Sequence, residues 1–202
     1  FRRKKEKVMV TLGITGGIGS GKSIVSKILR LKKIPVYDAD TEAKRIMVED
    51  PLVVEGLIGL LGTSVITSDG ELDRKYIAGK IFGNSVLLEA VNHLVHPAVG
   101  RDFVRWADEQ QKRGASLVAF ESAILFEANM RGVLNKVLLV TAPEEVRVER
   151  VVARDGVTVE QVRARMNHQM GEEEKKLLSD FVIYNDGGHA VLPQINKMLA
   201  QL

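Results

Sequence analysis

Five short apolar runs, Val8 to Ile14, Ile34 to Tyr37, Leu117 to Phe120, Val137 to Val140 and Phe181 to Tyr184, are rich in β-branched residues, and each gives way to Gly, Asp, Glu, Thr or Asn. Their near-continuous apolarity, without strict alternation, is the pattern of strands covered on both faces. Helical patterns separate them, so the expected fold is α/β, with a five-stranded parallel sheet between helices. The runs are unevenly spaced. About eighty residues without a convincing strand separate the second from the third, and they hold helical stretches at Thr41 to Glu49, Arg74 to Phe82 and Ser85 to Gln111 and a turn signal at Ser68-Asp69-Gly70. A helical insertion is expected there. Between the fourth and fifth runs, Pro143 to Leu178 is highly charged, carries five arginines within Arg147 to Arg165 and breaks near Asp155-Gly156; it reads as a helical flap.

Composition narrows the class. A length of 202 residues with 45% hydrophobic positions suits one domain, or one core with a large insertion. The chain has no cysteine, which excludes a disulfide scaffold, a thiolate nucleophile and any metal site built on sulfur. Net charge is +3, and the cluster Arg2, Arg3, Lys4, Lys5 and Lys7 accounts for much of the excess. A solvated basic run is preferred there over a nucleic-acid or membrane contact, because no nucleic-acid fold signature accompanies it. No apolar run approaches the roughly 18 residues that span a bilayer, and the N-terminal residues lack the order of a signal peptide. The expectation is a soluble, cytoplasmic protein that engages neither membrane nor nucleic acid.

The chemistry begins where the first run ends. Gly16-Gly17-Ile18-Gly19-Ser20-Gly21-Lys22-Ser23 matches GxxxxGK[ST] directly after a strand and at the start of an amphipathic helix, Ser23 to Leu31. Four glycines in six positions let backbone N–H groups turn inward, and the positive end of the following helix points at the same place. A nucleoside triphosphate is the expected ligand, with Lys22 on the β and γ phosphates and the Ser23 hydroxyl on Mg²⁺.

Acids stand at the ends of two further runs. In Asp38-Ala39-Asp40 the i, i+2 spacing puts both carboxylates on one face if the chain is still extended. One is a candidate general base; equally, Asp40 is a candidate cap for a helix beginning near Thr41. Glu121 is a candidate Mg²⁺ ligand through water, or else an exposed strand-end acid. Glu127 could orient an arginine. Arg147, Arg150 and Arg154, spaced three and four apart, share a helix face and suit a polyphosphate clamp; pairing with Glu144, Glu145 and Glu149 is the alternative. His93 and His96 have helical spacing but no evident third metal ligand, and His96-Pro97 reads as a helix break. Phe103, Val104 and Trp106 read as helix core.

Taken together, the segments GITGGIGSGKS (Gly13 to Ser23), DAD (Asp38 to Asp40), DGELDR (Asp69 to Arg74), Leu88 to Pro97 with its HP pair, LFE (Leu125 to Glu127), ARDGVT (Ala153 to Thr158), Gln169 and SDFVIYNDG (Ser179 to Gly187) resemble the dephospho-CoA kinase family of P-loop kinases across almost the whole chain. The resemblance implies one domain over 8–202. Its nucleotide-binding core would be 8–40, 112–142 and 179–202, its helical substrate-binding insertion 41–111 and its lid 143–178. It implies transfer of the ATP γ-phosphate to the 3′-hydroxyl of dephospho-CoA, the last step of coenzyme A synthesis, with ATP and Mg²⁺ as cofactors.

By the same resemblance, Asp40 is the general base with Asp38 beside it, and Lys22 and Arg150 act on the transferred phosphate. The nucleotide lies on Gly17, Ile18, Gly19, Ser20, Gly21, Lys22, Ser23 and Ile24 beneath Arg147 and Arg154, with Asn185 near its adenine. Arg74, His96 and Gln169 hold dephospho-CoA, and Ser23 and Glu121 serve the metal. Three positions depart from the family pattern: Ile24 and Ala123 replace the usual Thr and Pro, and Glu121 stands where Asp is usual. Another small-molecule kinase on the same fold would share loop and lid. A non-catalytic nucleotide switch binding ATP or GTP is disfavoured by the strand-end acids, the arginine flap and the absence of an NKxD motif.

Overall fold

The computed structural model describes residues 9–202, so the basic cluster Arg2 to Lys7 lies outside the described residues. In chain order the elements are Val10–Thr15 (β1), Lys22–Leu31 (α1), Val36–Asp38 (β2), Ala39–Glu49 (α2), Pro51–Leu61 (α3), Arg74–Ile81 (α4), Ser85–Lys112 (α5), Leu117–Glu121 (β3), Lys136–Thr141 (β4), Glu144–Asp155 (α6), Val159–Met166 (α7), Glu172–Leu178 (α8), Phe181–Tyr184 (β5) and Val191–Leu199 (α9). The chain divides into two compact units, one made of the residues up to Tyr37 together with Ala107–Leu202, the other Asp38–Trp106.

The first unit is built on the expected parallel sheet, in the order β2-β3-β1-β4-β5. β1 sits in the middle, paired in parallel with β3 (Ile14 opposite Glu121) and with β4 (Thr15 opposite Leu139), so β1 and β3 end within a residue of each other while β4 runs two residues further, to Thr141. One core cluster joins Leu12, Ile14, Ala119, Leu138, Val140 and Ile183 of the sheet to Val25 and Leu29 of α1 and Ile195 and Met198 of α9. Val25 and Leu29 lie four residues apart, one turn of helix, which is how α1 presents a single apolar stripe to the sheet. Tyr37 stacks on Phe120 with ring centroids 5.7 Å apart. A smaller cluster of Val148, Val151 and Val162 packs α6 and α7 together, with Ile18 of the glycine-rich loop among its neighbours. The break near Asp155-Gly156 is a helix end: Gly156 takes the left-handed conformation (φ 65°), and Thr158 and Gln161 then form a capping box that starts α7.

In the second unit three helices start on aspartates. Asp38, Asp50 and Asp73 accept from the backbone N–H of Thr41, Leu52 and Tyr76 respectively. The Asp50-Pro51 pair places an N-cap before a proline at the first helical position, where proline loses no hydrogen bond. It opens α3, a helix beyond the three stretches expected in this region; its buried side chains are Val53, Leu57 and Leu61. Ser68-Asp69-Gly70 forms the expected turn, closed by an Ile66–Leu72 bridge with Gly70 at φ 81°. Arg45 ties α2 to α5 through Asp102 at 2.6 Å, and the hydrogen bonds it donates to Glu42 and Glu49 raise its pKa further above the ordinary guanidinium value.

Two expectations fail here. Pro97 does not break the helix but lies inside the continuous α5. Proline removes one N–H and crowds one carbonyl; the flanking Val95, Ala98 and Val99 are all buried, and their packing carries the helix across it. Val104 is 45% exposed, off the core face on which Phe103 is buried and stacked against Trp106.

The two faces of α3 supply a test. Leu57→Ala empties a fully buried position and is expected to cost about 2–5 kcal/mol, whereas Leu60→Ala, on the exposed side, stays within about 0.5 kcal/mol. Urea denaturation of both variants measures the difference.

Candidate active site

The loop from Gly16 to Gly21 leaves β1 and enters α1 with Gly21 as N-cap in the left-handed conformation (φ 93°) and no capping side chain. The first-turn donors of α1 therefore lack the Ser or Asp oxygen that usually satisfies them, an arrangement suited to an anion. Gly19 (φ 80°) and Gly21 are required twice over. Positive φ strains any L side chain, and a Cβ would collide with the Arg147 backbone carbonyl at Gly19 and with the Asn185 side chain at Gly21. Lys22 Nζ donates to the Gly16 carbonyl at 2.8 Å, which folds the ammonium back over the loop. Ser23 and Ile24 are exposed in the first turn of α1.

Side chains from elsewhere hold this loop in place. Asn185, at the end of β5, donates from its side-chain amide to the Ser20 carbonyl at 2.9 Å and from its backbone to Thr141 at 2.7 Å. Gln169, between α7 and α8, accepts from the Ile18 N–H at 2.9 Å. Arg150 reaches the Gly19 carbonyl at 3.5 Å. The Arg147 guanidinium lies where a Gly17 side chain would be, paired with Glu172 at 2.9 Å, and Glu172 also accepts from the Thr141 hydroxyl. The structure thus brings two of the three arginines to the loop. Arg154 pairs with the adjacent Asp155, an interaction that raises the arginine pKa and lowers that of the acid.

Glu121 ends β3 beside β1. Among the described residues no three or more His, Cys, Asp or Glu side chains gather as a metal cage. The oxygen donors Ser23 and Glu121 suit Mg²⁺, which takes one or two protein oxygens and completes its shell with phosphates and water. Among the described residues Glu127 is paired with a lysine and not with an arginine. Its carboxylate pairs with the buried Lys175 at 3.0 Å and accepts from Met170 N–H at 2.8 Å, because α8 rather than the arginine-bearing α6 packs beside it.

Within the second unit, Asp38 rather than Asp40 is the cap, since α2 begins at Ala39, two residues earlier than Thr41. The chain has left the extended conformation after Asp38, so the two acids do not share a strand face. Asp40 stands exposed in the first turn of α2, where its charge favours the helix dipole. Arg74 opens α4 and donates to the Lys44 carbonyl at 3.4 Å. His96 is half-buried in α5, and burial, reinforced by the charge of His93, lowers its pKa below the ordinary value.

Sequence reasoning missed Thr141, Glu172 and Lys175. A glutamate in the first turn of a helix is unremarkable by pattern, and a lysine is almost never called buried.

A model of the dephospho-CoA kinase family matches residues 10–190. The dephospho-CoA kinase of Porphyromonas gingivalis is 42% identical over 192 residues, 95% of this chain and 93% of that protein. The chain belongs to the dephospho-CoA kinase family. Its activity is accordingly that of a dephospho-CoA kinase, the final step of coenzyme A biosynthesis. A solved structure from Thermus thermophilus, 39% identical, covers 96% of this chain and 98% of its own with a TM-score of 0.80. The dephospho-CoA kinase from Campylobacter jejuni, 23% identical with 95% of each chain covered, shares the fold at a TM-score of 0.68. Against the family pattern, Ile24 is 47% exposed, and Ala123 contributes a carbonyl that accepts from Lys175 at 2.8 Å. No helix among the described residues is long and apolar enough to cross a membrane.

Two expectations follow for this kinase. Gly19→Ala, which must displace the α6 backbone, should raise KM for ATP by at least about tenfold and also lower the melting temperature; steady-state kinetics with calorimetry check this. His96 favours its neutral form when folded, so its contribution to stability is complete above about pH 6.5 and is lost as pH falls toward its lowered folded value. Thermal midpoints at pH 7.5 and pH 5.5 should therefore converge in His96→Gln relative to the unsubstituted protein.

Proposed function

We propose that the glycine-rich loop carries Mg-ATP and that Asp40 is the general base toward the 3′-hydroxyl of dephospho-CoA. One observation supports the second assignment above others: Asp38 takes the cap of α2, which leaves the Asp40 carboxylate clear of helix capping and exposed just past the carboxyl end of β2. Ligands of open α/β sheets collect at such strand ends.

Lys22 would exchange the Gly16 carbonyl for β and γ phosphate oxygens, and Arg147 and Arg150, already against the loop, would meet the charge of the transferring phosphoryl group. Arg154 would join by exchanging Asp155 for a phosphate. Asn185 sets the loop from beneath, on the side where the adenine is expected. Ser23 and Glu121 would hold Mg²⁺, which when bound neutralises phosphate charge. Arg74, His96 and Gln169 are assigned to dephospho-CoA; Gln169 must then release Ile18 or serve from beside it.

Chemically, the hydroxyl proton passes to Asp40 as the 3′-oxygen bonds to the γ-phosphorus and ADP leaves. Positioning and fixed positive charge supply most of the acceleration, because phosphoryl transfer asks for little covalent work from the protein.

ADP release with Mg-ATP is expected with dephospho-CoA and not with AMP, shikimate or gluconate, the product being identified by mass. In that assay Asp40→Asn should lower kcat by roughly 10²–10⁴-fold with KM for ATP nearly unchanged; a raised KM at normal kcat would make Asp40 a structural residue.

A further inference from the structure

The segment from Gln169 to Leu178 touches the loop machinery twice, through Gln169 on the Ile18 N–H and through Glu172 on Arg147 and Thr141. A third attachment lies away from the phosphates. Lys175 has 1% of its side chain exposed; its Nζ pairs with Glu127 Oε1 at 3.0 Å and donates to the Ala123 carbonyl at 2.8 Å. The same Glu127 oxygen accepts from Met170 N–H at 2.8 Å. Met170 is the residue after Gln169, and Lys175 lies three beyond Glu172, close to one turn along α8. The bonds of this buried pair therefore fix the chain directly after Gln169, which touches the loop, and on the far side of Glu172, which touches Arg147.

Burying an ammonium costs more than burying an apolar side chain of equal length, so stability alone does not account for a lysine here. What the charge adds is direction. An apolar contact tolerates rotation or sliding of α8, whereas an ammonium shared between a backbone carbonyl and a carboxylate holds one orientation. Its receptor is firm: Leu125, between Ala123 and Glu127, is fully buried against Gly13 of β1.

We propose that Lys175 is a positioning residue for ATP. Through Glu127 and the Ala123 carbonyl it docks α8, so that Gln169 holds the Ile18 amide and Glu172 holds Arg147 against the phosphate loop. This rests on the assignment of the loop and Arg147 to ATP.

Lys175→Met preserves length and removes the ammonium. Measured on the full chain, it should raise KM for ATP by roughly tenfold to a hundredfold, with smaller changes, within about threefold, in kcat and, through Gln169, in KM for dephospho-CoA. If Lys175 acts through Glu172, adding Glu172→Gln to Lys175→Met should raise KM for ATP no further, since groups in one network are not additive. Glu127→Gln keeps acceptors for both Lys175 and Met170 and should show the same split more weakly, which also provides the reading if Lys175→Met does not fold. A fall in kcat and melting temperature at constant KM for ATP, or full additivity with Glu172→Gln, overturns the proposal and leaves Lys175 structural. Arg147→Ala separates the two levels. If it leaves KM for ATP unchanged, the ATP assignment has failed; if it raises KM and Lys175→Met does not, only the role of Lys175 has failed.

Discussion

The close approach of backbone to backbone at the glycine-rich loop is the constraint on which the rest of the first unit depends. The Arg147 carbonyl on α6 and the Asn185 amide after β5 occupy the space that side chains would fill at Gly19 and Gly21. Because α6 can approach this closely, Arg147 and Arg150 arrive at the loop without long excursions of their side chains. Because Asn185 grips the Ser20 carbonyl from below, the loop has a floor as well as a roof. A preorganised anion site needs both, since donors that must first be gathered lose the entropic advantage of being fixed.

Charge is used in two ways in this molecule. Near the loop, cations are held by acids at defined points: Arg147 by Glu172, which is itself tied to the end of β4 through Thr141. In the second unit, aspartates are spent on helix starts, at Asp38, Asp50 and Asp73, and on joining α2 to α5 through Asp102 and Arg45. The distinction bears on the proposed general base. An aspartate that caps a helix has its oxygen committed to a backbone N–H, while Asp40, two residues further on, does not.

Much of this was legible from the chain alone. Each expected strand overlaps an observed one, because a run apolar on both faces has few other ways to be buried, and GxxxxGKS after such a run carries its own turn chemistry. The helix α3 was readable in principle from Asp50-Pro51, a cap followed by a residue suited to the first turn. Pro97 was misleading because local propensity is outweighed when both neighbouring turns are buried. From the residues alone Asp40 was equally a base or the cap of α2; the helix start at Ala39, two residues before Thr41, gives the cap to Asp38.

The sequence by itself determined the parallel α/β core, the phosphate loop and the set of residue types available to it, because these follow from apolar patterning and from glycine, lysine and hydroxyl chemistry at fixed spacing. Tertiary structure alone decided the partners: that Gln169 bonds Ile18, that Arg154 turns to Asp155 while Arg147 turns to the loop, and that Lys175 is buried on Glu127. Those pairings join residues tens of positions apart or choose among equivalent charges on one helix. Their energies depend on burial and distance, which the spacing of residues along a chain does not contain.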